Sequence, residues 1–179
     1  MTSPGWLAVI DLQRVFGDPG SPWAAPLFGE VRPRIRRLAG AFGDRVVHTR
    51  FVAPAEPVGA WQAYYERFPF ALRPPDSPLY ELVDDPGAGP VVSATTFGKW
   101  GPELAAVVGE GPLTVVGVAT DCCVVSTVLA AADAGMAVRV VTDACAGSSD
   151  EAHSGALDLM GLYAPLVELT TTAEVLAGR

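Results

Sequence analysis

Lysine is almost absent from this sequence, because of its twelve basic residues only Lys99 is a lysine. The arginines form no basic stripe beyond the short cluster Arg32, Arg34, Arg36 and Arg37, and the formal net charge is −8. A surface of this charge repels polyphosphate at long range. The composition therefore argues against nucleic acid as a partner.

Long apolar runs are also lacking, since none approaches the roughly 18 residues that a membrane-spanning helix needs. The N-terminal stretch MTSPGWLAVIDLQ has no basic start, apolar middle and small-residue cleavage site of the kind found in signal peptides. We therefore predict a cytoplasmic protein that has no membrane partner.

Cysteine and histidine are scarce, with three cysteines and two histidines. An odd number of cysteines in a chain without an export signal favours free thiols over a disulfide framework. A zinc site needs about four ligands, and His48 and His153 have no CxxC or HxxxH spacing around them. We predict neither a metal nor another cofactor, which turns attention to the reactivity of the thiols.

Short apolar segments alternate with helix-length segments along the chain. Its 179 residues, half of them hydrophobic, suit one domain over residues 1–179. Runs that are apolar on both faces suit strands covered on both sides by helices. We predict an α/β fold with a doubly wound, mostly parallel sheet of order 3-2-1-4-5-6 in three α/β/α layers. The predicted strands are Leu7–Ile10, Val46–Val47, Val91–Val92, Leu113–Val118, Ala137–Val141 and Leu166–Leu169, and the predicted helices are Glu30–Phe42, Pro102–Val108, Asp121–Ala134 and Asp150–Leu162.

The segment Pro54–Pro90 interrupts this alternation. It holds many of the prolines together with the aromatic stretch WQAYYERFPF, and proline prevents a continuous helix. We predict an elaborated, non-helical connection. Its rings either cover a pocket or a partner subunit, or simply pin a long loop to the surface.

Three polar or reactive residues follow the ends of predicted strands: Asp11 after the first, Lys99 after the third and Cys123 after the fourth. In doubly wound sheets, ligands bind beyond the carboxyl ends of strands where the strand order reverses. The first and fourth strands are neighbours at that reversal. We therefore expect Asp11 and Cys123 to face one crevice.

Cys123 is predicted to lie in the first turn of a helix that Thr120 or Asp121 caps. Unpaired amides and the positive end of the helix dipole favour thiolate over thiol, which makes a better nucleophile. Cys122 would point about 100 degrees away, so that only one of the pair faces the crevice. The ordinary alternative is that both sulfurs are buried core filler.

Asp11 and Lys99 complete a candidate catalytic group. A carboxylate beside the thiol can take its proton and return it to a leaving amine, and an ammonium can hold that carboxylate ionised. Each residue also has an ordinary alternative, Asp11 as a turn or helix cap and Lys99 as a solvated cation. Arg14 or Arg50 could bind an acidic group of a substrate, or be solvated as most arginines are.

The segments AVIDLQRVF, HTRFVAP and GVATDCCVVSTVLAAADAGMAVRVVTDACAG resemble the isochorismatase-like cysteine hydrolases. The resemblance implies a catalytic triad of Asp11, Lys99 and Cys123, with Cys122 in the variable position of the TDxCV motif. It also implies a cis peptide bond just before Ala119, and an oxyanion hole formed by the backbone amides of Ala119 and Cys123.

The chain departs from the family pattern at two places. The family lysine falls near Ala94, so either Lys99 reaches the same space from a shifted backbone or the third role is altered. Nicotinamidase members carry an Asp and His cluster after the second strand, whereas Phe51 and Ala53 stand in that region here. This difference argues against a nicotinamidase and against a metal.

The resemblance, together with Cys123, predicts hydrolysis of a C–N bond of a small amide through a thioester. The alternatives are a vinyl-ether hydrolase of the isochorismatase type and a catalytically silent member that uses the pocket for binding or assembly. The partner is then a small-molecule substrate, and the family implies a homo-oligomer. We predict that the substrate-binding residues are aromatic and favour a planar or apolar group: Phe16, Phe51, Phe97 and Trp100.

Overall fold

A six-stranded sheet forms the centre of the computed structural model, which describes residues 5–178. The strand order is β3-β2-β1-β4-β5-β6, and each neighbouring pair is parallel. The predicted fold class and strand order are therefore confirmed. The strands are β1 (Trp6–Ile10), β2 (Val46–Phe51), β3 (Val91–Ala94), β4 (Leu113–Val118), β5 (Val138–Ala146) and β6 (Val167–Thr170).

Helices cover both faces of the sheet. The longest, α2, has 15 residues, and within residues 5–178 no helix is long and apolar enough to cross a membrane. The α-helices are α1 (Arg14–Gly17), α2 (Phe28–Phe42), α3 (Ala60–Arg67), α4 (Pro102–Val108), α5 (Val125–Asp133), α6 (Asp150–Gly161) and α7 (Thr172–Ala177).

Side chains alternate between two cores along the central strands β1 and β4, which explains why these two strands are buried at nearly every position. In β1, Leu7 and Val9 face a core that α2, α3 and α7 cover. Ala8 and Ile10 face a second core that α4, α5 and α6 cover. Because both faces are buried, the carboxyl ends of the strands remain as the place where polar groups can gather.

The connection between β2 and β3 contains a helix, which corrects the prediction that Pro54–Pro90 is non-helical. Helix α3 spans Ala60–Arg67, and two short 3-10 turns follow it at Pro69–Ala71 and Pro78–Tyr80. Eight residues free of proline give room for two helical turns, and Pro69 stands just beyond the helix end. Proline therefore limits the length of the helix without preventing it.

An arginine clamp attaches this connection to α2. Arg32 Nη2 lies 2.7 Å from Asp84 Oδ1, and Arg36 donates to the same oxygen. Burial opposes ionisation of Asp84, but the hydrogen bonds from both arginines outweigh it and lower the pKa of this carboxyl. The clamp is thus charge-assisted and depends on the ionised carboxylate.

Gly117 lets β4 approach β1 at the point where both strands near their carboxyl ends. Its φ is +120°, and a Cβ added there would lie 2.1 Å from the carbonyl oxygen of Ile10. Only glycine fits this position. The close approach brings the turn after β4 next to the residue after Ile10, which is Asp11.

Candidate active site

The structure brings the three candidate residues together at the carboxyl end of the sheet. Asp11 directly follows β1, and Cys123 lies in the turn after the neighbouring strand β4. Lys99 comes from the loop after β3, two strands away from β1, and its Nζ lies 3.0 Å from Asp11 Oδ2. Both of these side chains are fully buried. The structure therefore places the ammonium of Lys99 beside the carboxylate of Asp11.

Hydrogen bonds fix the Lys99 ammonium in place. Its Nζ donates to the carbonyl oxygens of Thr96 at 2.6 Å and Phe97 at 3.0 Å, beside the ion pair with Asp11. The backbone amide of Lys99 donates to Thr127 Oγ1 at 2.9 Å. An ammonium has three donors, and three oxygens surround this one. The buried charge is therefore well compensated.

Thr49, on β2, orients the carboxylate of Asp11. Thr49 Oγ1 donates to Asp11 Oδ1 at 2.6 Å and accepts from the backbone amide of Asp11 at 3.1 Å. Asp11 has a φ of +47°, a left-handed conformation that aspartate and asparagine tolerate better than most residues. No described residue donates a hydrogen bond to Asp11 Oδ2, whose contact with Lys99 is an ion pair only. This oxygen keeps a free lone pair.

Cys123 is a buried thiol, with 2% of its surface exposed. Burial is the largest cause of a pKa well above the ordinary value, the negative charge of Asp11 raises the pKa further, and Lys99 opposes both. The raised pKa corrects the prediction that the helix start favours a thiolate at Cys123. The thiol and the Asp11 carboxylate lie close enough for the carboxylate charge to raise the pKa of the thiol.

The turn that carries Cys123 is π-helical over Thr120–Val124 and continues into α5. Ala119 is its N-cap and makes no side-chain cap hydrogen bond, so the prediction that Thr120 or Asp121 caps the helix is wrong. The peptide bond between Val118 and Ala119 is cis. The Ala119 carbonyl accepts hydrogen bonds from the amides of Cys122 at 3.0 Å and Val124 at 3.1 Å. The two hydrogen bonds to this carbonyl thus fix the backbone conformation of the turn that carries Cys123.

Cys122 and Cys123 both line the same cavity, which corrects the prediction that only one of them faces it. Cys122 is partly exposed and Cys123 is buried, so the two residues border the cavity to different extents. Cys122 Sγ contacts Asp121 Oδ2 at 3.7 Å. Burial, followed by the charge of Asp121, raises the pKa of Cys122 to about 11. Within residues 5–178, Asp121 has no ion-pair partner of the kind that Lys99 provides for Asp11.

The cavity above the two cysteines has a volume of about 310 Å³. Three of the four predicted substrate-binding residues line it, while Trp100 does not. Trp100 packs against the core under α4 and α5 and lines a separate depression, because its neighbour Lys99 turns inward to Asp11. The lining consists of Phe16, Pro22, Trp23, Ala24, Phe51, Tyr64, Phe68, Phe97, Ala119, Cys122, Cys123 and Ser148.

Trp23 is the centre of the aromatic lining and was missed at the level of sequence. Its ring lies within 5.0 to 6.2 Å, centroid to centroid, of five other rings. A tryptophan inside the loop GDPGSPWAAP is a weak signal, because a loop has no periodicity that shows where a ring points. The five partners are Phe16, Phe51, Tyr64, Phe68 and Phe70.

The residues at the carboxyl end of β2 and just beyond it do not fit a metal centre. Phe51 and Ala53 are each 98% buried among apolar neighbours, and the Lys99 Nζ lies 5.3 Å from the centroid of the Phe51 ring. A divalent cation needs oxygen, nitrogen or thiolate ligands, which these side chains lack. Among residues 5–178, no three His, Cys, Asp or Glu side chains are grouped to hold a metal ion.

The sequence matches the isochorismatase domain over residues 6–174. This match covers most of the chain, so the chain belongs to the isochorismatase-like cysteine hydrolases, a family of hydrolases. No curated protein is similar enough to this chain to count as a match.

Several proteins of known structure have a fold similar to that of this chain. A cysteine hydrolase from Pseudomonas syringae pv. phaseolicola is 19% identical with a TM-score of 0.82, covering 98% of this chain and 96% of its own. The pyrazinamidase of Pyrococcus horikoshii in complex with zinc is 24% identical with a TM-score of 0.76, covering 92% and 97%. A nicotinamidase pyrazinamidase from Acinetobacter baumanii is 22% identical with a TM-score of 0.77, covering 97% and 100%.

Proposed function

We propose that this chain is a cysteine amidohydrolase that cleaves the C–N bond of a small amide through a thioester. One observation carries the proposal: Asp11 Oδ2 lies 3.0 Å from Lys99 Nζ, accepts no hydrogen bond from a described residue, and raises the pKa of the adjacent Cys123 thiol. An acceptor with a free lone pair beside a thiol is the arrangement of a base and its nucleophile.

Acylation begins when the Cys123 sulfur attacks the amide carbonyl carbon and its proton passes to Asp11 Oδ2. The carbonyl π electrons move to oxygen, and the backbone amides of Ala119 and Cys123 donate to the resulting oxyanion. Each donor of such a hole typically contributes about 3 to 4 kcal/mol. Because the resting thiol is neutral, the proton transfer accompanies the attack and does not precede it.

The tetrahedral intermediate collapses when Asp11 returns the proton to the amide nitrogen. The C–N bond breaks, ammonia or an amine leaves, and the acyl group stays on Cys123 as a thioester. Water then loses a proton to Asp11 and attacks the thioester carbonyl. The C–S bond breaks, the sulfur regains the proton from Asp11, and a carboxylic acid is released. Lys99 stabilises the carboxylate whenever Asp11 holds no proton.

Two neighbours of known structure support the choice of an amide as substrate, since one is a pyrazinamidase and the other a nicotinamidase pyrazinamidase. The site residues support a reaction that needs only Asp11, Lys99 and Cys123, because Phe51 and Ala53 cannot hold the zinc that accompanies one of those neighbours. In this proposal the attacking water is activated by Asp11.

The two adjacent cysteines give a matched pair of variants for testing the proposal. Cys123→Ala is expected to abolish turnover of small carboxamides, by roughly 10⁴-fold or more, and to abolish the acyl adduct seen by intact-protein mass spectrometry. Cys122→Ala is expected to keep the adduct and lose less than about tenfold in rate. Equal losses in both variants would rule out Cys123 as the nucleophile.

The same assay separates the two alternative functions. Release of pyruvate from isochorismate, without hydrolysis of any carboxamide, would indicate a vinyl-ether hydrolase. No product and no adduct from either substrate class would indicate a catalytically silent member. Ammonia release together with an adduct on Cys123 is the result that we expect.

We also propose that the chain forms a homo-oligomer, because large apolar side chains are exposed around the end of α6 and β6. Leu162 is the most exposed of them, at 81% of its surface. Apolar surface of this kind often marks a protein interface. Analytical ultracentrifugation is expected to give a mass that is a multiple of the 18.6 kDa chain mass. Leu162→Glu should lower the fraction of oligomer. A monomer in the unsubstituted protein would contradict this.

A further inference from the structure

We propose that Thr127 is a positioning residue whose hydroxyl holds Lys99 in place relative to Cys123. The inference rests on the proposed function and adds a residue to that reaction. Thr127 belongs to α5, four residues after Cys123, and no part of its surface is exposed. It does not line the cavity, so it acts on the reaction only through the two residues that it joins.

The Thr127 hydroxyl makes one hydrogen bond to each of two elements. Its Oγ1 accepts from the backbone amide of Lys99 at 2.9 Å and donates to the backbone carbonyl of Cys123 at 2.6 Å. An amide can only donate and a carbonyl can only accept, so the direction of both bonds is fixed. The hydroxyl therefore links the backbone of the proposed nucleophile to the backbone of the lysine.

The bond to Cys123 alone would be an ordinary feature of a helix. Threonine often donates to the carbonyl four residues earlier, which satisfies the hydroxyl without any further role. The bond from Lys99 is different, because it comes from the loop after β3. This loop lies directly on α5, since a Cβ added at Gly98 would be 3.4 Å from the carbonyl oxygen of Ser126. The loop and the helix thus meet at the Thr127 hydroxyl.

The loop of residues 95–100 has few polar bonds to the rest of the molecule. Lys99 Nζ donates to two carbonyls of the loop itself, which closes the loop on its own side chain. Within residues 5–178, one hydrogen bond and one ion pair lead out of it, from the Lys99 amide to Thr127 and from the Lys99 ammonium to Asp11. Thr127 therefore holds the backbone of Lys99, and Asp11 holds the end of its side chain.

Loss of the hydroxyl would release the backbone of this loop. The Lys99 amide would then be buried without its acceptor, which favours a shift of the loop toward another partner. Such a shift moves the ammonium away from Asp11 Oδ2, the proposed proton acceptor. Misplacement of a catalytic group by about 1 Å can lower a rate by about 100-fold. Thr127 should therefore affect kcat and leave substrate binding nearly unchanged.

Two substitutions separate the hydroxyl of Thr127 from its shape. Thr127→Val keeps the branched shape without the hydroxyl, and Thr127→Ser keeps the hydroxyl without the methyl group. We expect Thr127→Val to lower kcat for benzamide about 30-fold, with KM changed less than about threefold. Thr127→Ser should keep kcat within about threefold of the unsubstituted enzyme. A valine variant that stays within this limit, or a serine variant as slow as the valine variant, would overturn the inference.

Thr114→Val is the matched control. Thr114 is also a buried threonine, 5% exposed, but it lies near the start of β4, at the opposite end of the sheet from Asp11 and Cys123. This variant should keep kcat within about twofold of the unsubstituted enzyme. If it lost as much as Thr127→Val, the loss would follow from any buried hydroxyl and the inference would fail.

Nuclear magnetic resonance tests the same link without turnover. Lys99 is the only lysine, so isotopically labelled lysine gives a single backbone amide signal. We expect this amide to exchange with solvent about 100-fold or more slowly than in an unstructured peptide, and Thr127→Val to speed the exchange about tenfold or more. Thr127→Ser should keep the slow exchange. Fast exchange in the unsubstituted protein would overturn the inference even if the valine variant did not fold.

Exchange and turnover keep this inference separate from the proposed function. If the Lys99 amide responds to the Thr127 variants as expected but the unsubstituted protein hydrolyses no amide, the proposed function fails and the link between Thr127 and Lys99 stands. If benzamide is hydrolysed and Thr127→Val does not lower kcat, the proposed function stands and the positioning role fails.

Discussion

The base and the wall of the cavity are built on opposite principles. The base consists of four buried residues, Asp11, Thr49, Lys99 and Cys123. A hydrogen bond joins Asp11 to Thr49, an ion pair joins it to Lys99, and the Cys123 thiol lies beside it. The wall consists of aromatic rings, several of them from the connection between β2 and β3, which touch one another without hydrogen bonds. The base is placed by the sheet, whereas the wall is placed by packing.

Because of this difference, we expect the base of the cavity to determine the reaction rate and the wall to determine which substrates bind. A polar group in the base has one set of partners, and removing one partner leaves a buried charge or acceptor unpaired. A ring in the wall has many partners, and replacing it by another apolar residue leaves a smaller contact area. Changes in the base should therefore lower kcat for every substrate, and changes in the wall should alter the ranking of substrates.

Among changes to the polar residues at the base of the cavity, and apart from loss of the nucleophile, Asp11→Asn should have the largest effect. It keeps the shape of the side chain and tolerates the φ of +47°, but it removes the proton acceptor. We expect kcat to fall by roughly 10³-fold or more, with the circular dichroism spectrum unchanged. Steady-state rates within tenfold of the unsubstituted enzyme would exclude Asp11 as the general base that accepts the thiol proton.

Lys99→Met should lower kcat by roughly 10²-fold and also destabilise the fold. The remaining Asp11 carboxylate would be buried without its ion pair, at a cost of about 3 to 5 kcal/mol. Urea unfolding measures this loss. The double variant Asp11→Asn/Lys99→Met is the control, because it removes both charges and should recover much of the stability. A double variant as unstable as the sum of the single variants would contradict the coupling.

Thr49→Val tests whether a residue that touches no substrate positions Asp11. It is close to isosteric, yet it loses the 2.6 Å hydrogen bond to Asp11 Oδ1. We expect kcat to fall about tenfold with KM nearly unchanged, and the acid limb of the pH–rate profile to move to higher pH. Thr49→Ser should restore most of the rate. An unshifted acid limb would assign Thr49 a packing role only.

Asp84→Asn should have the smallest effect on activity and should act on the support of the wall. The pKa of Asp84 is lowered in the folded protein, so its stabilisation is present above the unfolded pKa near 3.9 and is lost as pH falls through the folded value. The free energy of unfolding at pH 7 should drop by about 1 to 2 kcal/mol. As the pH falls through the lowered folded pKa of Asp84, the stabilities of the two proteins should converge. A gap that persists there would contradict the clamp.

The base of the cavity was largely predictable from sequence, because Asp11 and Cys123 follow strongly apolar segments and the carboxyl ends of parallel strands share one edge. The alternation of strand and helix predicted a parallel sheet, and the strand order is the common one of doubly wound sheets. Lys99 was harder, since the loop after β3 reaches back across β2 and no local pattern encodes that path. Its place depends on tertiary bonds to Asp11 and Thr127.

The wall and the electrostatics of the thiol were not predictable in the same way. Trp23 and Trp100 both stand in segments without periodicity, and which of them faces the cavity depends on the turn of the neighbouring backbone. The free amides and the dipole at a helix start favour a thiolate at Cys123. Burial and Asp11 act in the opposite direction and are larger, and neither can be read from the residues around Cys123.

Lys99 is the only lysine of the chain, and its side chain is fully buried. Acylating reagents such as succinimidyl esters require an accessible, unprotonated amine, so no lysine side chain is open to them while the site is closed. The fraction of Lys99 that is modified after a short pulse, measured by peptide mapping, would therefore give the fraction of molecules in which the region around Lys99 had opened. The protein thus contains its own chemical gauge of local unfolding.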